Sequence, residues 1–162
     1  RLRNDWLLLL GQRRDWGQFA EQHPHYRMSD DREVRCYALL IGQIKGTAPA
    51  SAADDVRSNW YALRDADDGC THAAGELYSY KKLSALDIWR KARLGAEANR
   101  SRVVRAAVEI VAPEALTQLK EVLDSPSKYL LARNMAGSRV RQELVLLALI
   151  NVGAVWGCVI LG

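Results

Sequence analysis

Three histidines, three cysteines and several carboxylate clusters are the side chains of this 162-residue sequence from which chemistry could be built. His23 and His25 flank Pro24, and two imidazoles two residues apart could begin a metal site. No third ligand accompanies them, so a helix-ending turn is the expected setting. His72 has no sequence-local partner that would mark it as a general base. Asp65, Asp67 and Asp68, with Glu76 at the twelfth position counted from Asp65, outline a calcium loop. Such a loop needs glycine at its sixth position for the sharp turn, where this chain has Cys70, and a solvated turn capping the next helix is expected in its place. The pairs Asp30 with Asp31 and Asp54 with Asp55 are adjacent, and adjacent helical residues do not face each other, so they read as caps and surface charge. GxSxG, a glycine-rich phosphate loop and HExxH are absent, which removes the common hydrolase, nucleotide-binding and zinc-protease readings. No catalytic residue, metal ligand or cofactor site is assigned.

The cysteines allow a different kind of chemistry. Cys36, Cys70 and Cys158 form no CxxC pair and no dense disulfide framework. Cys36 and Cys70 both fall on or beside apolar helix faces, where a reduced thiol behaves as a small hydrophobe. Residue physics leaves open whether they are bonded. A bond would imply an oxidising compartment. The basic residues Arg90, Lys91, Arg93, Arg100, Arg102 and Arg105 gather in mid-chain without interleaved aromatics, so a solvated face is expected rather than a nucleic-acid groove. Lys and Arg exceed Asp and Glu by 23 to 19, a net +4 that is scattered along the chain and points to no polyanion.

The elements that must position these side chains are helical. With 49% apolar residues the chain can bury a core. Ala, Leu and Arg, all good helix formers, dominate, prolines number four and β-branched runs are few, which predicts an all-α protein. Trp6 to Leu10, ending at Gly11, and Asp15 to Ala20, stopping at His23 and Pro24, predict two short antiparallel helices. Ser29, Asp30 and Asp31 supply N-cap oxygens, with Glu33 available to reach back as in a capping box. A stripe of Val34, Tyr37, Ala38, Ile41 and Ile44 follows, closed by Gly46 and Pro49. Further stripes are Val56, Trp60, Leu63, then Cys70, Ala73, Ala74, Leu77, then Ala85, Ile88, Trp89, Ala92, Ala96 with Arg90, Lys91 and Arg93 on the wet side. Val103 to Ile110, Leu116 to Leu123, a helix begun by Ser125 and Pro126, and a last one opened by Ser138 bring the number to roughly ten. Short connections make neighbours antiparallel, and stacked hairpins predict a solenoid. Leu144 to Gly162 holds nineteen residues without charge and a Gly153 and Gly157 packing motif, yet Asn151 interrupts it and its pattern continues the Ser138 helix, so a buried final helix is expected over a membrane span. The chain opens at Arg1 with no signal-peptide pattern.

The segments RLRNDWLLLLGQRRDW (1–16), SDDREVRCYALL (29–40), RDADDGC (64–70) and SALDIWRKARLGAEANR (84–100) resemble the superhelical region of the soluble lytic transglycosylases, periplasmic enzymes that cleave peptidoglycan. The likeness covers about residues 1–150, and residues 151–162 form an apolar tail unlike the family. It implies a right-handed α-superhelix of helical hairpins, a U-shaped domain that carries a separate lysozyme-like domain, and a Cys36–Cys70 disulfide. In the family a carboxylic acid protonates the glycosidic oxygen and the sugar 6-hydroxyl closes a 1,6-anhydro ring, a lyase reaction. The family's acid is a glutamate followed by serine, with Gly-Leu-Met-Gln nearby. This chain has neither, so the resemblance implies a non-catalytic scaffold for the cell-wall glycan strand, inactive alone. The rival reading is a helical-repeat protein-interaction module, in one form anchored by its tail.

Overall fold

In the computed structural model, residues 1–132 and 137–161 are described, the last eight of these, 154–161, as backbone alone. Among the described residues there are ten α-helices, two single 3-10 turns and no strand. The all-helical class expected from composition is present. The chain divides into two compact units, residues 1–63 with 67–84, and residues 64–66 with 85–162.

The first unit is built from α1 (Leu2–Gln12), α2 (Trp16–Gln22), α3 (Arg32–Lys45), α4 (Ala52–Ala62) and α5 (Gly69–Ser79). Helix α3 is its axis, packing on α4 and α5 and on the α1–α2 hairpin. Its N-cap is Asp31, whose carboxylate accepts the Val34 N–H at 2.9 Å. Its end is Gly46, left-handed at φ 73°, where a side chain would be strained. Two expectations fail here. Ser29 stays in the preceding loop with φ 50°, and Glu33 does not reach back. Its carboxylate instead accepts the backbone N–H groups of Asp68 and Gly69 at 2.7 and 2.8 Å. Those donors open α5, so Glu33 caps the far helix rather than its own.

Leu7, Leu10, Phe19, Val34, Tyr37 and Ile41 form one buried cluster. Val56, Trp60, Ala73, Ala74 and Leu77 are buried as the 3.6-residue period predicts, and the Trp60 indole donates to Thr71 Oγ1 at 3.2 Å. The expected stripe member Ile44 is half exposed, because α3 turns Cys36 and Leu40 inward. Gly11, expected to end α1, lies inside it against Tyr37, and a Cβ there would overlap the tyrosine ring.

The second unit contains α6 (Ala85–Glu97), α7 (Ser101–Val111), α8 (Leu116–Asp124), α9 (Pro126–Ala132) and α10 (Arg139–Leu161). Helices α6 and α7 meet closely at Gly95, where a Cβ would come within 2.7 Å of Val103 Cγ1. Ile88, Trp89, Ala92, Val104, Leu119, Tyr129, Leu144 and Leu147 are buried. Helix α10 packs on α6, α8 and α9. Arg93, expected on the wet side of α6, instead donates to the buried Glu143 at 2.6 Å, and Arg139 Nε lies 3.4 Å from the same carboxylate. A carboxylate at that depth needs cationic partners: Arg93 ties α6 to α10, and Arg139 approaches from within α10 itself.

Residue 150 falls within α10. Among the described residues no helix is long and apolar enough to cross a membrane. The expected apolar tail, 151–162, lies outside the described side chains from residue 154 onward, as does Cys158.

Candidate functional site

The densest grouping of charge, aromatic rings and sulfur lies in the first unit, where the α1–α2 turn meets the start of α5. The turn is made by Arg14, a non-glycine residue at φ 59°, a conformation costing about 1–2 kcal/mol. What compensates is its guanidinium. Nη1 donates to the Gly11 carbonyl at 3.1 Å, and both terminal nitrogens donate to the Asp68 carboxylate, Nη2 at 2.9 Å. The bidentate fork fits a carboxylate better than any lysine would.

Asp68 also accepts the Tyr37 hydroxyl at 2.5 Å. Trp16 lies beside this pair, its ring centroid 6.2 Å from that of Tyr37, 6.3 Å from His72 in a stacked arrangement, and 5.8 Å from Arg14 Cζ. Asp67 accepts the Cys70 N–H at 2.6 Å. Beneath the polar layer, Cys36 of α3 and Cys70 of α5 are joined as a disulfide with Cα atoms 4.9 Å apart, and neither residue is exposed. The pairing that the resemblance implies is therefore present.

Burial alone would raise the Asp68 carboxyl, but the hydrogen bonds from Arg14 and Tyr37 outweigh it and the net displacement is downward. Tyr37 is raised, first by burial and then by its bond to Asp68, so it stays a neutral donor. His72 is lowered by burial and by the nearby Arg14 charge, and His23 by burial. The arrangement holds ions and rings in fixed places, and its charged groups are engaged by one another rather than aimed into a cleft.

These shifts have a consequence for stability. Asp68, His72 and His23 all bind protons more weakly folded than unfolded, so acid favours the unfolded chain. Stability of the first unit is expected to fall from about pH 6.5 as the histidines titrate, and again below about pH 4 as Asp68 does. Urea unfolding midpoints followed from about pH 8 to about pH 3 will show both steps; Asp68→Asn will reduce the second and, by removing a negative charge that favours protonated His72, deepen the first. A midpoint that stays level between neutrality and about pH 5 would contradict this assignment.

The other sequence candidates are dispersed. Asp65 pairs with Arg100 Nε at 2.8 Å, Asp67 caps Cys70, and Asp68 pairs with Arg14, so the outline of a calcium loop dissolves into separate contacts. Among the described residues no group of three or more His, Cys, Asp or Glu is placed to hold a metal ion. His23 stacks on Phe19 at 5.6 Å, while the His25 carbonyl accepts Arg3. Asp54 pairs with Arg57, and Asp55 accepts Ser51. Of the mid-chain cations, Arg93 and Arg100 are ion-paired and Lys91 is buried.

Nothing in the sequence singles out Arg14, Trp16 and Tyr37 as one site. Asp68 is 54 residues from Arg14 and 31 from Tyr37, and no local pattern links them. The one available signal is the polar Arg13, Arg14, Asp15 run between two apolar stretches, which marks a turn but not its partner. No family model, no curated protein and no solved structure matches this chain.

Proposed function

We propose that the chain is a non-catalytic scaffold, part of the right-handed superhelical region of a periplasmic lytic transglycosylase, whose stacked hairpins carry a lysozyme-like domain and guide a peptidoglycan glycan strand to it. The observation that carries the reading is the Cys36–Cys70 bond between α3 and α5, the pairing that the resemblance implies. A buried disulfide suits an oxidising compartment such as the periplasm. The charged network of the first unit is consistent with a supporting role, since its ions saturate one another.

Reading the coding sequence past Gly162 is expected to find a lysozyme-like domain. The isolated chain is expected to sediment with insoluble peptidoglycan while releasing no 1,6-anhydro sugar. A chain that stays in the supernatant, from a gene lacking such a domain, overturns the proposal.

One observation favours the helical-repeat interaction module. Leu2, Trp6 and Leu9 form an exposed stripe on α1, and a groove of about 440 Å³ lined by Leu2, Arg3, Trp6 and Gln22 runs beside it.

A further inference from the structure

A second cavity lies in the first unit, under the loop that joins the 3-10 turn His23–His25 to α3, with a volume of about 260 Å³. Its lining is chemically mixed. Val34, Ala38 and Leu39 make an apolar floor, while His23, Asp31 and Arg35 supply polar groups.

Each polar group retains bonding capacity. Asp31 accepts one bond on each oxygen, from Val34 N–H at 2.9 Å and Asn4 Nδ2 at 3.0 Å, and an ionised carboxylate has about four lone-pair sites. Arg35 donates from Nη2 to the Ser29 carbonyl at 2.7 Å, leaving other donors of its fork open, and no carboxylate among the described residues is paired with it. His23 is held on Phe19 by stacking, with neither ring nitrogen engaged by a described residue, and burial keeps it neutral.

A carboxylate and a guanidinium that face the same cavity without neutralising each other select a ligand carrying both signs. Asp31, the cap of α3, and Arg35 are four residues apart, about 6 Å of rise, and two extended residues span at most about 7 Å. We propose that this cavity binds a zwitterion of dipeptide size with small apolar side chains, its carboxylate on Arg35, its ammonium on Asp31 and its side chains on Val34, Ala38 and Leu39. The inference goes beyond the scaffold role and does not depend on it.

The test is a titration of the full chain with L-alanyl-L-alanine, followed by amide NMR shifts, beside the N-acetylated and C-amidated dipeptides. Saturable shifts are expected at His23, Val34 and Ala38. Blocking either end should weaken binding roughly tenfold or more, because each end forms a charge-assisted hydrogen bond. Arg35→Gln should weaken the free dipeptide to the level of the amidated one and leave the amidated one unchanged. Asp31→Asn keeps an oxygen for the helix cap and should do the same for the ammonium end. Should Asp31→Asn not fold, the Arg35→Gln comparison decides. Absence of saturable shifts, or equal binding of free and blocked peptides, overturns the proposal.

Discussion

Replacing Cys36 and Cys70 together with alanine is expected to destabilise the first unit by roughly 3–4 kcal/mol. The bond closes a loop of 34 residues that contains all of α4, and in the chain-entropy account a cross-link of that span removes much of the freedom the unfolded chain would otherwise gain. Both cysteines are wholly buried, so truncation also leaves a small void between α3 and α5. For a chain of this length the loss corresponds to a fall of about 10 °C in melting temperature. Thermal melts of parent and double variant measure it directly. A loss under about 1 kcal/mol would mean that packing alone fixes α3 on α5. Reductant added to the folded protein is expected to act slowly, because neither sulfur is open to solvent.

Asp68→Ala should cost about 2–4 kcal/mol, most of it through Tyr37 rather than Arg14. The Tyr37 hydroxyl sits on a ring with no exposed surface, and leaving that donor without an acceptor costs about 1–3 kcal/mol. The Arg14 pair is more than a third exposed and is worth at most about 1 kcal/mol. Asp68→Asn retains an oxygen for the tyrosine and should lose less than half as much. Tyr37→Phe combined with Asp68→Ala separates the two contributions. If Asp68→Ala, introduced into a chain that already carries Tyr37→Phe, costs no more than the Arg14 share, the tyrosine bond carries the effect. If Asp68→Ala costs under about 1 kcal/mol, the network adds little to stability and the left-handed Arg14 turn must be held by other contacts.

Much of the helical skeleton is legible in the sequence because its cause is local. Val34, Tyr37 and Ile41, or Ile88, Trp89, Ala92 and Ala96, fall on one side of a helix by spacing alone, and the structure buries them. Gly46 at a helix end and Pro126 at a helix start follow from backbone sterics. Glu33 defeats a local reading for the opposite reason. A glutamate three residues after Asp30, one of the expected caps, invites such a reading, but the cap is Asp31 and the N-terminus of α5 offers Glu33 two N–H groups from across the unit. Arg93 defeats it likewise, since a cation beside Arg90 and Lys91 looks solvated until α10 brings Glu143 to it.

The sequence by itself determined that this chain is helical, roughly where each helix begins and ends, and which residues make most of its apolar faces, because propensity, capping and the 3.6-residue period act between residues a few positions apart. Tertiary structure decided which distant side chains meet: Cys36 with Cys70, Arg14 with Asp68 and Tyr37, Glu143 with Arg93, and Asp31 and Arg35 around one cavity. Those meetings depend on how helix faces pack. Packing is settled by the fit of whole surfaces, and no short stretch of residues encodes it.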